Sequence, residues 1–198
     1  MKKWIYAGAI LIIALSILYN FIGGIDPESY REEVLEARDE TDRFMRFSEE
    51  SPFKEQGIPF DTLRYFEPDL SYRITARFRP VEKREIITLP TSDGKEKEYL
   101  SYGYASFTLE NKPQELLILE NIDEQQLYVP FGDETSARET YGAGRYLDVE
   151  HGGSATIVLD FNYAYNPYCA YVDDYSCPLP PRENLLDVAI RAGEKTYK

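Results

Sequence analysis

The sequence predicts a mainly β protein, an antiparallel sandwich or barrel of seven to eight strands, preceded by a transmembrane helix and an amphipathic helix. Three observations predict this order. An uncharged run opens the chain, apolar residues then recur at helical spacing, and from about residue 71 they alternate as in strands. We therefore divide the chain into a transmembrane signal anchor (1–25), an amphipathic helical stalk (26–50) and a β-rich domain (51–198).

The uncharged run from Trp4 to Ile22 would be about 28 Å long as a helix, enough to cross a bilayer. Lys2 and Lys3 precede it and acidic residues follow it, so the positive-inside rule places the C-terminal domain on the non-cytoplasmic side. The alternatives are a cleaved signal peptide, which needs small residues where Phe21 and Ile22 stand, and a buried core helix. We favour a retained anchor, which gives a single-pass membrane protein of the cell envelope.

The composition limits the partners. A net charge of -13 and a pI near 4.6 oppose binding to nucleic acid or to an anionic lipid surface, because both would be repelled. The chain after the anchor is long enough for one domain with a real core. The sequence identifies no cofactor and no protein partner, and we assign no metal ligands; a zinc site would need more ligands than the two cysteines and His151, the only histidine.

The stalk begins with Asp26 and Pro27, an N-cap followed by a first-turn proline. Apolar residues from Tyr30 to Met45 recur near helical spacing, and the helix is expected to end before Ser51-Pro52. Its other face is rich in Glu, Asp and Arg, which predicts a solvated surface between the bilayer and the domain.

The β-rich domain starts with an alternating segment in which Ile74, Ala76 and Phe78 face one way and arginines face the other. Turn signals at 92–94, 111–113 and 152–153 separate the later strands. The further predicted strands are Arg84–Leu89, Lys97–Leu109, Glu115–Glu120, Gln126–Phe131, Arg145–Glu150, Ala155–Asn162 and Leu186–Arg191.

Cys169 and Cys177 are the only cysteines. On an exported domain an even count favours a disulfide, which would contribute about 2.5 kcal/mol in the chain-entropy model. Two separate buried thiols are the alternative, since the spacing permits a bridge without requiring one.

The last third of the domain carries an unusual density of polar and aromatic residues. It supplies the candidate ligand-binding residues, which are Asp133, Ser136, Tyr141, Arg145, Asp160, Asn162, Tyr165, Asn166, Glu183 and Asn184.

Each motif in this region has a functional and a structural interpretation. Arg145 would bind an anionic group, or pair with Asp160 or Glu183 to close the core. Asp160 and Asn162 would line a pocket, or cap turns. The tyrosines between 141 and 175 would stack against a sugar or another flat ligand, or pack loops against the sheet.

Three segments of this region, ETYGAGRYLD, VLDFNYAYNPYCAY and YSCPLPPRENLLDVAIRAGEK, closely resemble domain-of-unknown-function 1684 (DUF1684). The segment SPFKEQGIPFDTLRYFEPDLSYRITARF supports the resemblance, which extends from the mid-forties onward. It implies a shared fold in one domain, but it supplies no activity.

Three functions remain open at this level. The first is a non-catalytic binding or accessory module for a small molecule or glycan. The second is a hydrolase or lyase without histidine chemistry, in which Asp133, Asp160 and Glu183 act as acid, base or metal ligands. The third is a purely structural envelope protein.

Overall fold

The structure, a computed structural model, describes residues 25–197. Its centre is one antiparallel sheet of seven strands that curls into a half-barrel. The strands lie in the order β6-β5-β4-β3-β1-β7, and β2 pairs with β3 outside this path. Their bounds are β1 Arg73–Pro80, β2 Ile86–Pro90, β3 Glu96–Leu109, β4 Lys112–Asn121, β5 Leu127–Phe131, β6 Arg145–Val149 and β7 Thr156–Asp160.

The mainly β, antiparallel prediction is therefore confirmed, with one sheet in place of the two that a sandwich would have. The local reasons are those visible in the sequence. Ala76 and Phe78 of β1 are buried while Arg77 and Arg79 are exposed. The β3–β4 turn places Glu110 and neighbouring Asn111 at φ of 51° and 61°, the left-handed conformation that a tight hairpin needs.

The prediction of a strand at Leu186–Arg191 is wrong. Its apolar residues are buried at alternate positions, as in a strand, but they fill the concave face of the half-barrel. The backbone of this segment makes single bonds to residues after β5, such as Leu186 N–H to the Gly132 carbonyl at 2.8 Å. Its later carbonyls accept from a side chain, Arg145, so no ladder forms.

Within the described residues two helices precede the sheet, α1 (Pro27–Phe47) and α2 (Pro52–Glu55). Asp26 caps α1 as predicted, accepting from the Ser29 amide at 2.8 Å. The sequence predicts a solvated stalk, but one face of α1 packs against the domain. The buried residues of this face are Tyr30, Val34, Arg38 and Met45.

No helix within residues 25–197 is both long enough and apolar enough to cross a membrane. The predicted membrane anchor, residues 4–22, lies outside the described part of the chain. The stretch that the structure does describe begins just before α1.

The sheet has two apolar faces. The concave face packs against the C-terminal segment and holds the main core, which includes Phe107, Phe131 and Phe161. The convex face carries a smaller cluster of different character, rich in tyrosine. This cluster consists of Leu89, Tyr99, Leu117, Leu119, Tyr128 and Tyr146.

Candidate functional site: a tyrosine-lined pocket

Arg145, the most prominent candidate from the sequence, lies on the concave side with a side chain only 1% exposed. A tight turn leads into it: Gly144 has φ +92°, and a Cβ there would meet the Phe131 carbonyl oxygen at 2.6 Å. Arg145 pairs with Asp133 at 2.9 Å, so the predicted partners Asp160 and Glu183 are both incorrect.

The guanidinium also donates to three backbone carbonyls of the C-terminal segment, those of Ile190, Ala192 and Glu194. We call Arg145, Asp133 and these carbonyls the arginine lock. The other Asp133 oxygen accepts from the Thr135 amide and hydroxyl at 2.7 and 2.6 Å. Arg145 Nε has no partner among residues 25–197, but the other bonds of the lock hold the C-terminal segment against the sheet.

Asn184 and Ser136 also make internal bonds. Asn184 is fully buried, accepts from the Leu117 amide at 2.7 Å and donates to the carbonyls of Leu117 and Pro130. The Ser136 hydroxyl accepts from the Asp133 amide at 3.2 Å. Asn184 therefore joins the C-terminal segment to β4 and β5, and Ser136 supports Asp133 of the lock.

Asp160 and Asn162 form a second network, where β7 meets α1. Asp160 accepts from the Tyr30 hydroxyl at 2.7 Å and pairs with Arg73 at 3.3 Å. Asn162 exchanges two hydrogen bonds of 2.8 Å with the backbone of Asp69. This network fastens the helix to the sheet.

Asn166 belongs to a third network, with Glu194. Its backbone amide and side-chain amide donate to the two Glu194 oxygens at 2.9 and 2.8 Å, and the Tyr171 hydroxyl donates to the same carboxylate. Burial raises the pKa of Glu194 to about 7 against the opposing effect of these donors. Sequence analysis did not single out Glu194.

The three carboxylates of the predicted hydrolase therefore lie in different environments. Asp133 is in the arginine lock, Asp160 is beside Tyr30, and Glu183 is exposed. Within residues 25–197 no three His, Cys, Asp or Glu side chains are grouped so that they could hold a metal ion.

Cys169 and Cys177 lie near each other as free thiols, so the structure does not show the predicted disulfide. A short 3₁₀ turn at Tyr168–Ala170 directs the Cys169 amide toward Cys177 Sγ, which accepts at 3.2 Å. The neighbouring Cys177 thiol lowers the pKa of Cys169 to about 6. Tyr141 lies next to this pair, with its hydroxyl 3.8 Å from Cys169 Sγ.

Of the candidate residues, Tyr165 is the one that lines an open pocket on the convex face, about 380 Å³ in volume. Six tyrosines contribute to its wall. We call it the tyrosine pocket, and its lining consists of Lys97, Tyr99, Asn121, Glu124, Gln126, Tyr128, Tyr146, Asp148, Tyr165, Pro167, Tyr168, Tyr175, Ser176, Cys177 and Pro178.

The aromatic rings of the pocket are arranged by the sheet. Tyr128 of β5 lies 5.1 Å from Tyr99 of β3 and 5.7 Å from Tyr146 of β6, between ring centroids. Tyr165 continues the row at 5.9 Å from Tyr146, edge to face. Backbone bonds between Tyr146 and Tyr165, 2.9 and 3.0 Å long, add the loop to the edge of the sheet.

Two polar groups make this row of rings chemically distinctive. The Tyr128 hydroxyl is buried and makes no hydrogen bond of ordinary length within the described chain. Burial, and then a longer interaction with the neighbouring Tyr99 hydroxyl, raise its pKa. Asp148, opposite Tyr128 in the β5–β6 register, accepts from the Tyr165 hydroxyl at 2.9 Å. Asp148 is exposed, but the surrounding pocket wall removes part of its hydration and raises its pKa, and hydrogen bonds from Tyr165 and Gln126 oppose the shift.

Sequence analysis missed the part of the pocket that comes from strands β3 and β5, together with Asp148. A signal did exist, because Tyr99 and Tyr128 each occupy an alternate position of a predicted strand. Which tyrosines become neighbours depends on the pairing of β3, β4 and β5, which the alternation alone does not specify.

Comparison with known proteins gives a family but no activity. The family model described as "Protein of unknown function (DUF1684)" matches residues 59–195. No curated protein matches the chain. A matching solved structure is the solution NMR structure of an uncharacterized protein from gene locus rrnAC0354 of Haloarcula marismortui. It is 37% identical, covers 85% of this chain and 95% of that chain, and has a TM-score of 0.66. This chain therefore belongs to the DUF1684 family.

Proposed function

We propose that the domain is a non-catalytic binding module that holds one sugar-sized ligand in the tyrosine pocket. The observation that carries the proposal is the buried Tyr128 hydroxyl. A buried polar group without a partner costs about 1–3 kcal/mol, and a ligand hydroxyl would remove that cost.

The shape and lining of the pocket support a sugar ring. Its volume of about 380 Å³ lies within the range of about 300–1,000 Å³ that is usual for small-molecule sites. Tyrosine rings offer apolar faces for the C–H surface of a sugar, and their hydroxyls bond to its edge.

The polar rim supports a ligand with many hydroxyl groups. Asp148 accepts hydrogen bonds, Lys97 donates them, and Asn121 and Gln126 can do either. A pyranose offers both donors and acceptors around one ring. A purely apolar ligand would leave this rim unpaired.

The proposal includes the location of the module. The uncharged run from Trp4 to Ile22 and its flanking charges support a single-pass anchor with the domain on the non-cytoplasmic side. Protease added to intact cells should then digest the domain. Protection in intact cells with digestion after lysis would contradict this orientation.

The binding test uses the full chain in a detergent without a sugar headgroup, because glycosidic detergents would compete for the pocket. Titration calorimetry with glucose, galactose, N-acetylglucosamine and their short oligomers should give a dissociation constant in the millimolar to micromolar range for at least one, roughly -4 to -8 kcal/mol. No heat from any of them would contradict the proposal.

Two variants separate the pocket from the fold. Asp148→Asn keeps the size of the side chain and a hydrogen-bond acceptor for Tyr165, and it should weaken sugar binding about tenfold. The matched control is Asp187→Asn, an exposed carboxylate beside Lys112 and away from the pocket. Equal binding by both variants would place the ligand elsewhere.

A further inference from the structure

A second cavity lies between α1 and the loop that follows β7, with a volume of about 340 Å³. We call it the helix cavity. Arg38, Thr41 and Phe44 of α1 form one side, and Asn166 and Glu194 lie on its wall as well. Tyr165 and Tyr168 line both this cavity and the tyrosine pocket, so the two spaces share a wall.

Two residues of the cavity wall, Arg38 and Asn166, each carry a buried polar atom that makes no hydrogen bond among residues 25–197, Arg38 Nε and Asn166 Oδ1. The identity of the Asn166 oxygen is fixed by its surroundings. The other end of the amide bonds to two acceptors, Glu194 Oε1 and the Lys195 carbonyl, both at 2.8 Å, and must be the NH₂ group. The free atom is therefore an acceptor.

Arg38 is a buried cation without an ion-pair partner in the described chain. Its two terminal nitrogens donate to backbone carbonyls, those of Phe66 at 2.7 Å and Asn162 at 3.2 Å, and its guanidinium stacks on Tyr65 at 4.5 Å. These contacts hold the guanidinium in place but supply no negative charge. Since buried charges are normally paired, Arg38 favours an anionic group in the cavity.

The two atoms without partners indicate which groups a ligand of this cavity would need. Arg38 Nε requires an acceptor, best supplied by a carboxylate, and Asn166 Oδ1 requires a donor such as an ammonium or hydroxyl group. Above its pKa of about 7 the Glu194 carboxyl on the same wall is ionised and favours a positive charge beside Asn166. The net charge of -13 disfavours entry of a free anion but leaves a zwitterion unaffected.

We propose that the helix cavity binds a small carboxylic acid that also carries a hydrogen-bond donor, an amino acid in preference to a hydroxy acid. The carboxylate lies against Arg38, and the amino or hydroxyl group lies against Asn166. This site is separate from the sugar-binding function proposed for the tyrosine pocket.

Four probes of nearly equal size test the two contacts: L-alanine, L-lactate, propionate and lactamide. Saturation-transfer NMR of the ligand methyl signal, on the full chain in a buffer without amino acids or other carboxylates, gives each dissociation constant. Alanine should bind most tightly, then lactate. Propionate lacks the donor and lactamide lacks the charge, so each should bind at least about tenfold more weakly than alanine.

Blocking variants identify the cavity. Ala37→Leu adds bulk to the cavity wall without touching a hydrogen bond of Arg38 or Asn166, and it should abolish alanine binding. Glu36→Leu, its neighbour on the exposed face, is the matched control and should bind alanine normally. If Ala37→Leu does not fold, Phe44→Trp fills the same wall.

Arg38→Lys keeps the positive charge but loses the planar donor group. It should weaken alanine binding at least about tenfold and leave the affinity for sugars unchanged. Two results would overturn the proposal. One is no binding of any probe at about 20 mM, which would mean that the cavity holds water only. The other is unchanged alanine affinity in a folded Ala37→Leu or Phe44→Trp protein.

Discussion

The arginine lock and the tyrosine pocket lie on opposite faces of one sheet and use polar groups in opposite ways. In the lock, Arg145 and Asp133 are buried, paired with each other, and bonded to the backbone. In the pocket, Tyr128 is also buried but its hydroxyl has no partner within the described chain. Arg145 Nε also lacks a partner in the described chain, but Arg145 lines neither the tyrosine pocket nor the helix cavity. An unsatisfied polar group therefore indicates a site only where its residue lines a cavity, and polar density alone does not.

The largest expected effect is in the lock. Arg145→Met leaves the Asp133 carboxylate buried without its counter-charge and removes the donors to three carbonyls, so it should cost about 3–5 kcal/mol of unfolding free energy. Urea unfolding followed by circular dichroism measures the loss.

The matched control for this prediction is Arg191→Met. Arg191 pairs with Glu139 at 2.9 Å, but its side chain is 55% exposed. Exposed pairs contribute about 0–1 kcal/mol, so the control should lose little. Similar losses of unfolding free energy in both variants would show that Arg145 stabilises the fold no more than a surface ion pair does.

A somewhat smaller effect is expected from pH, through Glu194 of the third network. Its pKa is about 7 in the folded protein and near 4.5 in the unfolded chain, because burial disfavours the charged form. The folded state therefore holds the proton between these values. The contribution of Glu194 to the free energy of unfolding should be complete below pH 4.5. It should fall by on the order of 3 kcal/mol as the pH rises from there through 7.

Glu194→Gln tests this pH dependence. The variant should show a flatter dependence of melting temperature on pH between 5 and 8 than the unaltered chain, whatever its absolute stability. Equal slopes for the two proteins would assign the dependence to another group.

The sequence predicts most of the fold because strand alternation is a local property. The limits of β1 and β3 follow from residues that lie side by side in the chain, as in the alternation of Ala76 and Phe78 with arginines. The segment Leu186–Arg191 has a similar alternation, yet its backbone bonds to the loop after β5 and to the side chain of Arg145, which is 45 residues away from Ile190. No local pattern distinguishes these two cases.

The candidate site could be predicted only in part, for a related reason. The loop tyrosines, Tyr165 among them, are close together in sequence and were identified. Tyr99, Tyr128 and Asp148 join them only through strand register, which puts Tyr128 opposite Asp148. Similarly, Asp133 and Arg145 were both selected, but their pairing with each other was not.

The smallest change in stability is expected when single hydroxyl groups are removed from two tyrosines of the pocket. Tyr146→Phe removes a buried hydrogen bond of 2.7 Å to the Pro178 carbonyl and should cost about 1–2 kcal/mol. Tyr128→Phe removes a hydroxyl without a partner, so the unliganded protein should lose nothing or gain up to about 1 kcal/mol, while sugar binding weakens. Melting temperatures and calorimetry on both variants measure the contrast. If Tyr128→Phe destabilises the unliganded protein as much as Tyr146→Phe does, the Tyr128 hydroxyl has an internal partner and the tyrosine pocket loses its main support as a binding site.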